Sequence, residues 1–177
     1  MIFTHAQMLK NAKSLCACSK NMAIEIERKF LVDKEKWQQL EKPTPMHLRQ
    51  GYIFSDESKT IRLRIADDQA FITIKGSTTG MSRSEFEYAI PVADAAQMLD
   101  DLAVSELEKY RYNITYSGKL WEVDVFLGDN QGLVVAEIEL DSEDEEFELP
   151  LWVTTEVTGD KRYYNSKLSI HPFKNWD

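Results

Sequence analysis

The stretch Ile24-Glu25-Ile26-Glu27-Arg28-Lys29-Phe30 decides the reading of this chain. Ile24 and Ile26 take one parity, and Glu25, Glu27 and Lys29 take the other. A period of two sends successive side chains to opposite faces of a strand, so this segment presents one apolar and one charged face. The pattern recurs downstream. Ile61, Leu63 and Ile65 alternate with Arg62 and Arg64, and Ile72 and Ile74 with Phe71, Thr73 and Lys75. Phe86, Tyr88 and Ile90 alternate with Glu85 and Glu87, and Tyr110 and Tyr112 with Lys109 and Arg111. Trp121, Val123 and Val125 alternate with Glu122 and Asp124, and Ala136, Ile138 and Leu140 with Glu137 and Glu139. Windows of this kind argue for a mainly β (α+β) domain in which helices are accessories.

Short glycine-bounded segments, Gly76 to Gly80 and Gly128 to Gly132, predict hairpin-length loops and antiparallel neighbours, and Gly118 marks another hairpin. Helical character is confined to about residues 34 to 41 after Asp33, 92 to 102 after Pro91, and short turns in the C-terminal tail. With 177 residues, 43% of them hydrophobic, the chain can fill one core, and two independent domains are not expected. Residues 1 to 21 form an extension carrying Lys10, Lys13 and Lys20 and no acid, read as dispensable, with Met22 as the effective start and 22 to 177 as the domain. Cys16 and Cys18 lie in that extension, so the body has no cysteine for a disulfide framework. This suits a cytoplasmic setting.

The net charge of −9 disfavours a broad basic face for nucleic acid, and no apolar run approaches the roughly 20 residues that span a bilayer. No membrane or nucleic-acid partner is expected. Any anion site must be locally basic. The charges also segregate by strand: Glu25/Glu27, Glu85/Glu87, Glu122/Asp124 and Glu137/Glu139 are acidic pairs, whereas Arg62/Arg64 and Lys109/Arg111 are basic pairs. Partners at i and i+2 point the same way about 7 Å apart and repel unless something neutralises them. A solvated face would do so through salt bridges between neighbouring strands. A barrel with its apolar face outward would instead line a wet interior, where divalent cations neutralise the carboxylates and a multiply charged anion the basic pairs.

The run Glu25-Ile26-Glu27-Arg28-Lys29 resembles the E-x-E-x-K signature of the CYTH or triphosphate tunnel metalloenzyme family. Further blocks follow in the family's order: Arg49-Gln50-Gly51-Tyr52, Ile61-Arg62-Leu63-Arg64, Thr73-Ile74-Lys75, Ser82-Arg83-Ser84-Glu85-Phe86-Glu87, Lys109-Tyr110-Arg111-Tyr112, Glu122-Val123-Asp124-Val125-Phe126, Glu137-Ile138-Glu139 and Asp160-Lys161-Arg162-Tyr163. The resemblance covers about Met22 to Leu168. It implies an eight-stranded antiparallel β-barrel forming a tunnel, with a few covering helices.

Residue by residue, the resemblance implies that Glu25, Glu27, Glu137 and Glu139 hold Mg²⁺ or Mn²⁺, joined by Asp124 and by Glu85 and Glu87. It implies that Lys29, Arg62, Arg64, Lys75, Lys109, Arg111 and Lys161 bind phosphate, with Lys29 and Tyr52 close to the reacting centre. The blocks are most similar to the bacterial tripolyphosphatase branch, so the implied activity is metal-dependent hydrolysis of inorganic triphosphate, a small-molecule substrate. A class IV-type adenylate cyclase, or a hydrolase of thiamine triphosphate or nucleoside triphosphates, is the alternative. A non-catalytic binding module would tolerate losses among the carboxylates, and none of the paired carboxylates is missing. The oligomeric state stays open, a homodimer included. His5, His47 and His171 are scattered outside these blocks and read as surface residues, whereas Trp37, Trp121 and Trp152 read as packing between helices and the barrel wall.

Overall fold

The computed structural model describes residues 26–56, 58–79 and 82–176. Its strands are β1 (Ile26–Val32), β2 (Met46–Ser55), β3 (Thr60–Ala66), β4 (Gln69–Thr79), β5 (Ser82–Ile90), β6 (Ser105–Tyr116), β7 (Lys119–Phe126), β8 (Val134–Leu140) and β9 (Val153–Glu156). Helices α1 (Lys34–Gln39), α2 (Val92–Leu102) and α3 (Asn165–Leu168) accompany them. All pairings are antiparallel, in one nine-stranded sheet of order β5-β4-β3-β2-β6-β7-β8-β1-β9. The fold is mainly β and tunnel-like. In place of eight strands closed in a ring, β5 and β9 stand at opposite edges of the sheet and are not hydrogen-bonded neighbours among the described residues.

Local chemistry explains most boundaries. Asp33 caps α1 by accepting hydrogen bonds from the backbone N–H groups of Glu35 and Lys36 at 3.0 and 3.1 Å. The β6–β7 hairpin turns at Ser117 and Gly118, both at positive φ, the conformation a tight hairpin turn requires. Gly76 behaves otherwise than expected. It lies inside β4, beside a register shift between Lys75 and Thr78, and a Cβ there would sit 2.5 Å from Ser84 Oγ. A glycine in a strand thus marks a bulge with close backbone approach, not the end of the strand.

The apolar parity of β1, β7 and β8 packs on the outer side, where Phe30, Val32, Trp121, Val123, Ala136 and Ile138 meet Trp37 from α1 and Trp152. Trp152 stands edge-on to both Trp37 and Trp121 at ring separations of 5.8 Å. Helix α2 covers β2 and β3 through buried Ala95 and Leu99. That approach needs Gly51, because a Cβ there would lie 2.6 Å from Leu99 Cδ2.

One end of the inner parity is closed by an apolar cluster. Leu107, Phe126 and Val135 pack with Leu168 of α3, backed by Leu31, Tyr163, Phe173 and Trp176, so the C-terminal segment forms a floor beneath the charged residues. Above this floor the antiparallel register stacks the inner residues in layers. Asp124 pairs with Arg111, Glu137 with Lys29 and Glu122, and Glu139 with Glu27.

Ile138 is 1% exposed on the outer side of β8, while Glu137 and Glu139 face inward. Ile138→Ala should therefore lower unfolding free energy by about 2–5 kcal/mol in a denaturant titration. Turnover per folded molecule should be largely kept, since the deleted methylenes lie on the far side of the sheet.

Candidate active site

Strand parity brings nearly all the sequence-predicted residues to one face. Lys29 on β1 is buried and donates to Glu27 Oε1 at 2.6 Å and to Glu137 Oε1 at 2.5 Å. Arg111 on β6 reaches across two strands: Nη1 donates to Glu122, Nε to Asp124 Oδ1 at 2.7 Å, and Nη2 to Asp124 Oδ2 at 2.7 Å and Glu137 Oε2 at 3.0 Å. Lys109 donates to Asp124, and both side chains are buried. Across the tunnel, Arg62 and Arg64 share Glu87, at 3.5 and 3.3 Å. Lys75 pairs with Glu85 at 2.7 Å. The Nε–H groups of Arg62 and Arg64 are buried and make no hydrogen bond among the described residues.

Tyr52 is buried on the same face of β2, and its phenol oxygen accepts a hydrogen bond from Gln50 Nε2 at 3.0 Å. Burial pushes its pKa up to about 12, so it keeps its proton near neutrality. Tyr52 and Glu137 feel one another electrostatically although β6 and β7 lie between their strands.

Two predicted residues stand apart. Glu25 lies outside the described residues, as does the extension 1 to 21. Lys161 is exposed on the 3₁₀ turn Lys161–Tyr163, off the sheet, and forms no salt bridge with a described residue. Its neighbour Arg162 folds back onto Asp160. Of the histidines, His47 pairs with Glu108 on the outer side and His171 is exposed, while His5 lies outside the described residues.

The structure also adds members to the site. Gln50 supports Tyr52, and Thr73 donates to Glu87 at 2.9 Å while accepting from Arg62 Nη2 at 3.1 Å. Both share parity with a predicted residue two positions on, Tyr52 and Lys75, and that signal could have found them. Asn165, whose Oδ1 lies 3.4 Å from Lys109 Nζ, comes from α3 and carries no periodic signal.

Burial raises the Glu27 carboxyl and repulsion from Glu137 adds to it, taking the pKa up to about 7 against the pull of Lys29. With 39% of this side chain accessible, solvent moderates the effect. Burial would raise Glu137 as well, but Lys109, Lys29 and Arg111 outweigh it and bring its pKa down to about 2. Burial would depress Lys29, yet Glu137 and Glu27 hold it above the ordinary range. Lys109 is shifted down by burial and by Arg111 in spite of Asp124.

These residues suit a hard cation in donor type. Glu27 and Glu139 are direct cross-strand partners of like charge, an arrangement that is unfavourable without a counter-charge, and carboxylate oxygens are the donors such cations take. No group of three or more His, Cys, Asp or Glu is gathered around one point among the described residues, because Lys29 stands between Glu27 and Glu137.

A curved antiparallel sheet with an apolar exterior, an apolar floor and a charged interior defines a tunnel protein for ionic ligands. Residues 23–169 match the CYTH domain, and the chain belongs to that family. It is 47% identical over 88% of its length to an inorganic triphosphatase of Acetivibrio thermocellus, covering 99% of that protein. It is 39% identical over 82% of its length to an inorganic triphosphatase of Nitrosomonas europaea, covering 97% of it. Among solved structures, the crystal structure of the inorganic triphosphatase NE1496 superimposes with a TM-score of 0.62 at 35% identity, covering 82% of this chain and 94% of that one. Triphosphatases of this family depend on a metal ion.

A carboxyl whose folded pKa lies above its ordinary 4.5 favours the folded state when protonated. Its contribution is present below pH 4.5 and is lost as the pH rises to about 7. Metal-free Glu27→Gln should therefore lose less melting temperature than the parent protein between those limits. Calorimetric scans of both proteins in chelator across that range measure the difference.

Proposed function

We infer that this protein hydrolyses inorganic triphosphate, adding water to the terminal phosphorus and releasing orthophosphate and pyrophosphate. The observation that carries the reading is the pair Arg62 and Arg64. Two guanidinium groups share one carboxylate and keep buried N–H donors that have no partner among the described residues, a surplus of donors that phosphate oxygens satisfy. The relatives named inorganic triphosphatase support the same activity.

In this reading Glu25, Glu27, Glu137 and Glu139 hold Mg²⁺ or Mn²⁺. The ion, when bound, supplies charge neutralisation and lowers the pKa of a water for attack. Lys29, Arg62, Arg64, Lys75 and Arg111 bind and orient the phosphate chain, and fixed cations stabilise charge on the leaving pyrophosphate. Tyr52 accepts from Gln50 and retains its own O–H, which it donates to a phosphate oxygen. Lys75, paired with partly exposed Glu85, exchanges that partner for phosphate, and Arg62 and Arg64 likewise exchange Glu87. Glu85 and Glu87 are thus counter-charges on the phosphate side in our assignment, and Lys161 completes the phosphate set from the C-terminal turn. No helix among the described residues is long and apolar enough to cross a membrane, and we assign the enzyme to the cytoplasm.

Purified protein with Mg²⁺ or Mn²⁺ should release phosphate from tripolyphosphate faster than from ATP or thiamine triphosphate, and chelator should stop it. Glu137→Gln should remove most turnover without unfolding the protein. Conversion of ATP to cyclic AMP with tripolyphosphate left intact would overturn the hydrolase reading in favour of the cyclase.

A truncated protein starting at Met22 should keep its activity and melting temperature, since the family match begins at residue 23. A large loss of either would show that residues 1 to 21 contribute to the domain.

A further inference from the structure

We propose that Asp124 is a positioning residue for Arg111 and does not ligate metal, and that Lys109 holds Asp124 in place. The proposal deepens the triphosphatase reading and rests on it for the identity of the anion. Asp124 is 0% exposed and Lys109 1% exposed, although each carries a charge of the type the site uses. Asp124 is the more deeply committed of the two buried carboxylates: Glu137, 7% exposed, accepts one side-chain hydrogen bond on each oxygen, whereas Asp124 accepts three. Oδ1 accepts from Arg111 Nε, and Oδ2 accepts from Arg111 Nη2 and from Lys109 Nζ. Lys109 in turn is enclosed by Asp124, by Asn165 Oδ1 at 3.4 Å, and by the Phe126 ring, whose centroid is 5.5 Å from Nζ. Phe126 belongs to the apolar floor. Asp124 cannot meet a cation without giving up one of these hydrogen bonds.

Arg111 is the member of the trio that reaches the interior. Asp124 grips it on one edge through two parallel hydrogen bonds, which fixes both the position and the plane of the guanidinium. The remaining donors then point at Glu122 and Glu137 in the layer above. Lys109 and Asp124 cancel as a buried pair, so the trio presents one positive charge upward, on a rigid base. A buried ion pair is a poor source of stability compared with apolar packing of the same volume. Its presence on the floor is accounted for if it serves the aim of Arg111.

The test uses the full chain as Asp124→Asn, Arg111→Gln, and the double variant, with Glu137→Gln as a metal-site control. Asp124→Asn leaves the Lys109 ammonium buried without its counter-charge, so Lys109→Met/Asp124→Asn, which removes both charges together, is the second route if the single variant does not fold. Binding of tripolyphosphate in chelator is read from the rise in melting temperature and by calorimetry, and Mn²⁺ binding by electron paramagnetic resonance. Kinetics supply KM and kcat.

We expect tripolyphosphate binding to weaken by about 10- to 100-fold in Asp124→Asn, as when the partner that orients a ligand is lost. Mn²⁺ affinity should stay within about twofold of the parent. In the Arg111→Gln background, adding Asp124→Asn should change anion binding by less than about twofold, because its action runs through the missing arginine. A fall in Mn²⁺ affinity comparable with that of Glu137→Gln would make Asp124 a ligand and overturn the proposal. So would a full additional loss of anion binding in the double variant. If the parent protein fails to hydrolyse tripolyphosphate, the triphosphatase reading falls while the Mn²⁺ measurement still decides the role of Asp124.

Discussion

A sheet that turns its charged side chains inward must neutralise them there, since water inside a narrow tunnel screens far less than bulk solvent. The antiparallel register meets this demand by placing each charged strand beside one that can answer it. Lys29 stands between Glu27 and Glu137, Arg111 spans Glu122, Asp124 and Glu137, and Lys75 meets Glu85. The compensation is uneven. Glu27 and Glu139 face each other with like charge, while Arg62 and Arg64 divide a single carboxylate. In our proposal the cation sits beside the carboxylates of β1 and β8 and the polyanion beside Arg62 and Arg64, so the two sites draw on different strands of the register.

The same constraint explains the exterior. With the interior given to charge, the apolar parity faces outward and must be covered. Trp37 and Trp152 close over β1, β7 and β8, and α2 closes over β2 and β3. Cover of this kind restricts the strands beneath it, as Gly51 shows, because the backbone of β2 and the side chain of Leu99 need the space a Cβ would take. The C-terminal segment closes the floor from below with Leu168, Tyr163, Phe173 and Trp176.

Parity was legible in the sequence, and parity carries most of the fold and most of the site. Helix α2 spans Val92–Leu102, matching the segment after Pro91, and the residues from Lys29 to Glu139 proposed for the interior share a face in the register. Two strands escaped the periodic reading. In β2 the outer side is packed under α2 and the inner side holds Leu48, Gln50 and Tyr52, so neither face is uniformly polar. Strand β9 has four residues, too few to establish a period. Edge strands likewise leave no mark in a single chain's pattern, because closure depends on curvature accumulated over the whole sheet.

Depth was the quantity parity could not give. Lys109 and Arg111 sit two residues apart on one face, as do Asp124 and Glu122, and the sequence treats the members of each pair alike. The floor separates them. Lys109 lies against Phe126 and Asn165 and pairs there with buried Asp124, whereas Glu122 and Glu27 lie where water reaches. In our proposal this gradient divides the labour of the tunnel. Cations tied down at depth can present fixed charge to an anion without reorganising, the condition under which electrostatic stabilisation is strongest. In our assignment Glu27, at the wetter level, keeps the solvent access that a metal ion needs to enter and leave, while Glu137 meets that ion from the buried side. Exchanging the two layers would keep every charge and every parity, yet would bury the carboxylates out of reach of metal and leave the arginine without a rigid support.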